Sequence, residues 1–442
     1  MLATMVDYDP HVHRVDYLKH PTNNLETLLH LIKGCLGTGL LAMPEGFKYC
    51  GMTFGIVFFI LIALFATYCI HVLVGSQYIL CKKKKVGLLL YGDSMEYACE
   101  IGPVCFRKYR KIGSLLSNIF LVSYQIGACC IYWVFVGTSL KYVLDVYTTE
   151  IYPLYGYMLV MFIPHCLIMC VRNLKLLAPF SLVADVISLV TFGVVFYYIF
   201  EHLDSRFDER DSIGRNVQDY PLFFGTVLFS LQSLPICISV ENNMKSPEYF
   251  LKPFGVLNIG FAILSFFYLF VGIFGYWRYG DDIKSTITLN FPPEDILAEV
   301  IILSYCLCIY VSYGLNAYVP ITIIYDGYLE PKLGADASKL KKLTVEMLLR
   351  FLFVIVTCAL SVTIPLLGLI ISFCGSVCLS ALGLIFPAFL EMCAYWEEGK
   401  SKLKTFSFWK EMAMIFIGLV GMFSGLYSTV RSMYEKLSTG DY

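Results

Sequence analysis

Charge is scarce in this chain. Of 442 residues only 15% are Asp, Glu, Lys or Arg, and the formal net charge is −1. An ordinary soluble domain carries about 25% charged residues. The even balance excludes a nucleic-acid binder, which shows a basic patch or stripe. No Asn-x-Ser/Thr sequon occurs, so glycosylation cannot report sidedness. None of the seventeen cysteines forms a Cys-x-x-Cys pair, which removes zinc-ribbon and thioredoxin-like readings. HExxH, GxSxG and P-loop motifs are missing too, so neither an enzyme nor any cofactor or metal is expected. His11 and His13 are too small a set for a metal site. The first twenty residues are polar and lack an apolar h-region, so no cleavable signal is expected.

Hydrophobic length is what the chain has in plenty. Apolar types make up 58% of residues, and the mean hydropathy is +0.69. A bilayer is crossed by ~20 apolar residues in a helix. Such runs predict eleven spans, at 25–49, 51–80, 112–144, 152–171, 174–200, 221–244, 253–277, 295–325, 344–364, 366–394 and 408–430, in an all-α polytopic membrane protein. Residues 1–24 and 431–442 are left as polar tails. The stretch 91–111 is too polar to span and suits a helix on the membrane surface. Most cysteines fall inside the apolar runs, where a free thiol behaves as a small hydrophobe. Lys and Arg concentrate in one set of loops (Lys82–Lys85, Arg107–Lys111, Lys339–Lys342, Lys400–Lys404). The positive-inside rule then places the N-terminus in the cytoplasm.

The first span is not a simple one. LETLLHLIKGCLGTGLLAMPEGFKYC carries His30, Lys33 and three close glycines, Gly34, Gly37 and Gly39, before Pro44. Each interior glycine costs a helix roughly 1 kcal/mol. The spacing therefore predicts a broken helix, one half ending near Lys33, an unwound segment through Gly34–Gly39, then a second half. Close helix packing at small residues is the alternative. A second break is expected in the sixth span, where FFGTVLFSLQSLPICISVENNM puts Ser230, Gln232, Ser233 and Pro235 at mid-span. Bare backbone at membrane depth must face protein or a water-filled cavity, and transporters aim such half-helices at substrate and ions. Breaks in spans one and six predict five spans repeated inverted plus one extra helix, the LeuT-like architecture.

HPTNNLETLLHLIKGCLGTGLLAMPEGFKYCG resembles the first helix of the animal proton-coupled amino acid transporters, in the amino acid/auxin permease superfamily, and the resemblance runs from about His20 to Phe389. It implies a secondary transporter of small neutral amino acids, with an amino acid and protons as partners in a lipid bilayer. The unwound segment (Gly34, Cys35, Gly37, Thr38, Gly39) would offer backbone N–H groups and a half-helix dipole to a substrate carboxylate. Matching motifs imply Tyr124 and Gln125 from YQIGACCIYWVFV, Phe229, Ser230, Gln232 and Ser233 from FFGTVLFSLQSLP, and Tyr313 and Asn316 from SYGLNAYVPITIIYD as further walls. Two departures stand out. Gln232 replaces the family's glutamate, with Ser233 for the glycine after it, and Gly368 stands where relatives have aspartate.

Ionisable residues inside spans are functional candidates by default. Glu26, His30 and Lys33 fall at i, i+4 and i+7 on one stripe. His30 matches the histidine of the family's HLLKG, which the resemblance implies in proton coupling, and an ordinary pKa near 6.5 suits that role. Asp185, inside the fifth span, is the second coupling candidate, with Lys33 or His30 as partner. A histidine satisfied by bundle neighbours and a plain Lys33–Asp185 ion pair are the structural alternatives. Three functions stay open: a proton-coupled carrier, a sodium-coupled or uncoupled amino acid carrier given the lost acids, and a transporter-like amino acid sensor. The membrane is the plasma membrane or a lysosomal or endosomal one.

Overall fold

The computed structural model describes residues 8–15, 21–148, 152–172, 174–201, 210–214, 216–231, 234–334, 337–397, 400–401 and 405–439. Backbone in hydrocarbon must satisfy its own N–H and C=O groups, so apolar runs fold as helices. A short α1 (Pro10–Val15) precedes a bent pair, α2 (Asn24–Cys35) and α3 (Thr38–Cys50), then α4 (Met52–Lys84). The small helices α5 (Tyr91–Ile101) and α6 (Val104–Arg107) lead to α7 (Arg110–Leu144), followed by α8 (Leu154–Val160), α9 (Phe162–Met169) and α10 (Leu174–Glu201). The second half runs through α11 (Tyr220–Leu231), α12 (Leu234–Asn242), α13 (Val256–Tyr279), α14 (Ile296–Ile324), α15 (Glu330–Leu333), α16 (Lys339–Thr363), α17 (Leu367–Phe373), α18 (Phe386–Ala394) and α19 (Thr405–Thr439).

Among the described residues nine helices are long and apolar enough to cross a membrane, or ten with α2 and α3 taken as one bent span. Eleven were expected. The fourth, at 152–171, is the one that falls short: Leu154–Met169 makes two short helices. Pro164 has no N–H to give the Val160 carbonyl, and Met161 instead closes tightly onto Met158 (3.1 Å). Two ends also run longer than hydropathy suggested. α4 continues through Lys84, whose stem can lie along apolar surface while its ammonium reaches water. α19 continues to Thr439, so 431–439 is helix rather than tail. In the surface stretch, α5 buries Met95, Ala98 and Cys99 and exposes Asp93 and Glu100, and it packs on α7 and α18 of the bundle.

The run Leu367–Ala394 is the centre of the bundle, 83% buried, whereas Phe180–Glu201 lies at its edge, 28% buried. α11 packs backbone against backbone on that central run: a Cβ at Gly225 would overlap the Ser372 carbonyl. The neighbouring hydroxyls of Thr226 and Ser372 share a 2.9 Å hydrogen bond.

Candidate functional site

Between α2 and α3 the chain turns by 55°. Only Leu36 and Gly37 leave the helix, so the break is narrower than the 34–39 segment expected from the glycines. The reason lies in what each glycine touches. A Cβ at Gly34 would stand 2.9 Å from Ile236, and one at Gly39 would stand 2.7 Å from Ser230 Oγ and 3.0 Å from its Cα. Those two are helical and serve close packing. A Cβ at Gly37 would meet nothing within 4 Å, and its φ of −147° is open to any residue. Gly37 faces open space.

Helix ends leave backbone groups without intrahelical partners. Here the Leu36 N–H donates to the Ile32 carbonyl (3.0 Å), the Tyr268 hydroxyl of α13 donates to the Cys35 carbonyl (2.7 Å), and the Leu40 N–H donates to the Gly37 carbonyl (3.0 Å). The Cys35 thiol meets that of Cys237 on α12. Thr38 opens α3 and is buried.

Two cavities lie along the bundle. One of about 920 Å³ is lined by Leu121 and Tyr124 of α7, Pro235 and Ile238 of α12, and Tyr8, His13 and Arg14 of the N-terminal segment. The other, about 810 Å³, is lined by Thr138, Lys141 and Tyr142 of α7, Glu45 and Lys48 of α3, Gly368 and Lys436. From Tyr124 to Thr138 α7 climbs ~21 Å at 1.5 Å per residue, so the cavities open toward opposite ends of the bundle. α3 leads from the bend to the second.

Of the described wall candidates Tyr124 alone lines one of these cavities. The Tyr124 and Phe229 rings stand 6.2 Å apart. Gln125 is buried with no described partner for Oε1. Ser230 donates to the Thr226 carbonyl (2.8 Å) while abutting Gly39. Gln232 and Ser233 lie outside the described residues, and with them the expected break of the sixth span. Tyr313 lines neither cavity: it is fully buried, hydrogen-bonded to the Thr357 hydroxyl (3.0 Å) and packed on His165 and Trp133. Asn316 also lies outside both linings, donating to the Tyr132 hydroxyl (3.2 Å) and the Ser312 carbonyl (3.0 Å). An aromatic or amide in a span reads the same from sequence whether it packs or lines.

The ionisable stripe of α2 does not act as one group. Glu26 forms a reciprocal capping box with Asn23, each accepting the other's backbone N–H at 2.9 Å. Lys33 is ion-paired with Asp185 of α10, both partly exposed. His30 is exposed and pairs with no described residue. Residues 8–15, expected as part of a polar tail, are docked. Arg14 donates to both carboxylate oxygens of Glu241 on α12 (2.6 and 3.1 Å) and to Asn242, and the His11 ring packs on Tyr78 at 4.5 Å. Burial, reinforced by Arg14 and opposed by Glu241, holds the His11 imidazole below its ordinary pKa of 6.5. Tyr268 and Glu45 were passed over in the sequence. Tyr268 carries no local signal. Glu45, an acid inside a span, did carry one.

A bent first helix, with cavities toward both ends of the bundle, is the arrangement of secondary transporters built on discontinuous helices. Solved structures share the whole architecture. The nucleobase-cation-symport-1 family transporter Mhp1, closed with bromovinylhydantoin bound, superposes with a TM-score of 0.53 at 11% identity, over 96% of this chain and 95% of that one. An outward-open Na+-coupled sialic acid symporter does so at 0.50 and 13% identity, over 97% and 93%. At such identities the likeness shows the fold, which is LeuT-like. The family is set by sequence: a family model for transmembrane amino acid transporter proteins matches residues 20–431, and the chain belongs to that family of multi-pass membrane transporters. It is 32% identical over 437 residues to the Drosophila melanogaster "Proton-coupled amino acid transporter-like protein pathetic", covering 98% of this chain and 90% of that one. It is 26% identical over 415 residues to the Caenorhabditis elegans "Probable amino acid transporter skat-1", covering 93% and 88%.

Proposed function

We propose that this chain moves small neutral amino acids across its membrane with protons, by alternating access, its N-terminus in the cytoplasm. The observation that carries the reading is the two-residue bend at Leu36–Gly37, where a Cβ on Gly37 would meet nothing within 4 Å. The N-terminal end of α3, with its dipole, suits the substrate carboxylate. Around the bend the described side chains (Cys35, Thr38, Tyr124, Phe229, Ser230) are uncharged. That favours an uncharged substrate side chain. The tight Gly39–Ser230 approach favours a small one. The Drosophila relative's name supports proton coupling. His30 takes the coupling role by resemblance, and the Lys33–Asp185 pair ties α2 to α10.

Purified protein screened for thermal stabilisation across the amino acids tests the substrate class. A ligand at a hundred times its Kd adds ~2.7 kcal/mol, so alanine or glycine should stabilise while lysine and glutamate do not. Labelled-substrate exchange in proteoliposomes then separates carrier from sensor, since a sensor binds without flux.

A further inference from the structure

The second cavity holds a carboxylate that nothing above uses. Glu45 is 8% exposed, two turns along α3 from the bend, and its side chain accepts a hydrogen bond from Tyr49 (3.1 Å), one turn further up the same helix. Facing it on α17 is Gly368, and the fit is reciprocal. A Cβ at 368 would overlap Glu45 Oε2 and lie 2.7 Å from its Cδ, so the glycine makes the space that the carboxylate fills. No ion pair within 4 Å engages this carboxylate among the described residues. The charges around it are Lys48 on its own helix, Lys436 of α19, and, across the cavity, Lys141 and Asp145 at the end of α7 and Lys284. Asp219, ahead of α11, acts on Tyr49.

We propose that Glu45 is the proton-binding group of this cavity, the entry point for the coupled proton on the face opposite the N-terminal segment. A proton taken from water in the cavity resides on a Glu45 carboxyl oxygen, discharging a buried anion on the moving arm of the first helix. It returns to water on the other face when that arm reorients. The proposal rests on proton-coupled transport, and its test has a readout that does not depend on flux.

Glu45→Gln keeps the shape and the Tyr49 hydrogen bond. Gly368→Ala pushes the carboxylate aside cheaply, because its end is flexible. Infrared spectra of purified protein, titrated between about pH 4 and pH 9 across the span of carboxyl pKa values, should show a protonated-carboxyl stretching band that titrates, shifts in Gly368→Ala and is lost in Glu45→Gln. In proteoliposomes Glu45→Gln should still exchange substrate yet accumulate it at least about tenfold less under an inward proton gradient, a loss of 1.4 kcal/mol of coupling. A spectrum identical in parent and Glu45→Gln, or undiminished accumulation by the mutant, overturns the proposal. If the parent shows the band but no flux, proton binding at Glu45 stands and the transport reading fails.

Discussion

The three glycines of the first helix make opposite predictions, and the distances rank them. Gly39→Ala would place its Cβ 3.0 Å from the Ser230 Cα, a backbone atom that cannot step aside. Overpacking of that kind costs ~1–3 kcal/mol, partly offset by the ~1 kcal/mol that alanine gains over glycine in a helix. The net expectation is a loss of up to ~2 kcal/mol. Gly34→Ala meets a side-chain methyl of Ile236, which can shift, so it should fall near zero. Gly37→Ala meets nothing and should stay within ~0.5 kcal/mol, as surface substitutions do. Gly37→Leu should leave stability equally untouched and yet fill the open space, cutting uptake by at least about tenfold. Unfolding of purified protein followed by intrinsic fluorescence, beside initial uptake rates in proteoliposomes, reads both effects. Full uptake by Gly37→Leu would refute the placing of the bend on the path. A melting loss at Gly37→Ala matching that at Gly39→Ala would refute the packing argument.

Other perturbations follow from named contacts. Asp185→Asn strands the Lys33 ammonium and should impair proton-driven accumulation more than exchange, with recovery in the Lys33→Asp, Asp185→Lys exchange; no recovery would show that the pair's charges are not reciprocal. Docking of the N-terminal segment should be complete above about pH 6.5 and weaken as pH falls below it, because the docked His11 has a lowered pKa and the released one binds more protons. Protection of Arg14 from trypsin reads this, and a pH-independent profile, or an unchanged one in His11→Gln, contradicts it. Glu346→Ala leaves the buried Arg350 without its 3.0 Å partner. The cost should be ~3–5 kcal/mol, read as a lowered unfolding temperature, against under ~1 kcal/mol if the pair were solvent-screened.

Hydropathy and glycine spacing were enough to reveal a helical membrane bundle with a bent first helix, because apolar length and helix-breaking are local properties. The extent of the bend was not local. Gly34 and Gly39 look like Gly37 in sequence, and only Ile236 and Ser230, brought from α12 and α11, make them packing residues. The short fourth span was legible in Pro164, which hydropathy averages away. Docking of Arg14 on Glu241, 227 residues along the chain, had no local signature at all. Tyr313 and Asn316 matched motifs, but their hydrogen-bond partners, Thr357 for the one and Tyr132 and Ser312 for the other, are not named by any motif. Gly368 read as a lost acid; in space its vacancy is occupied by Glu45.

Uptake of labelled alanine into sodium-free proteoliposomes, with an imposed inward proton gradient and a pH dye in the lumen, tests the central claim most directly. The account predicts accumulation above equilibrium together with lumenal acidification, both abolished when the gradient is collapsed. Alanine that binds but does not enter, or enters at a rate and to a level indifferent to the proton gradient, would contradict it.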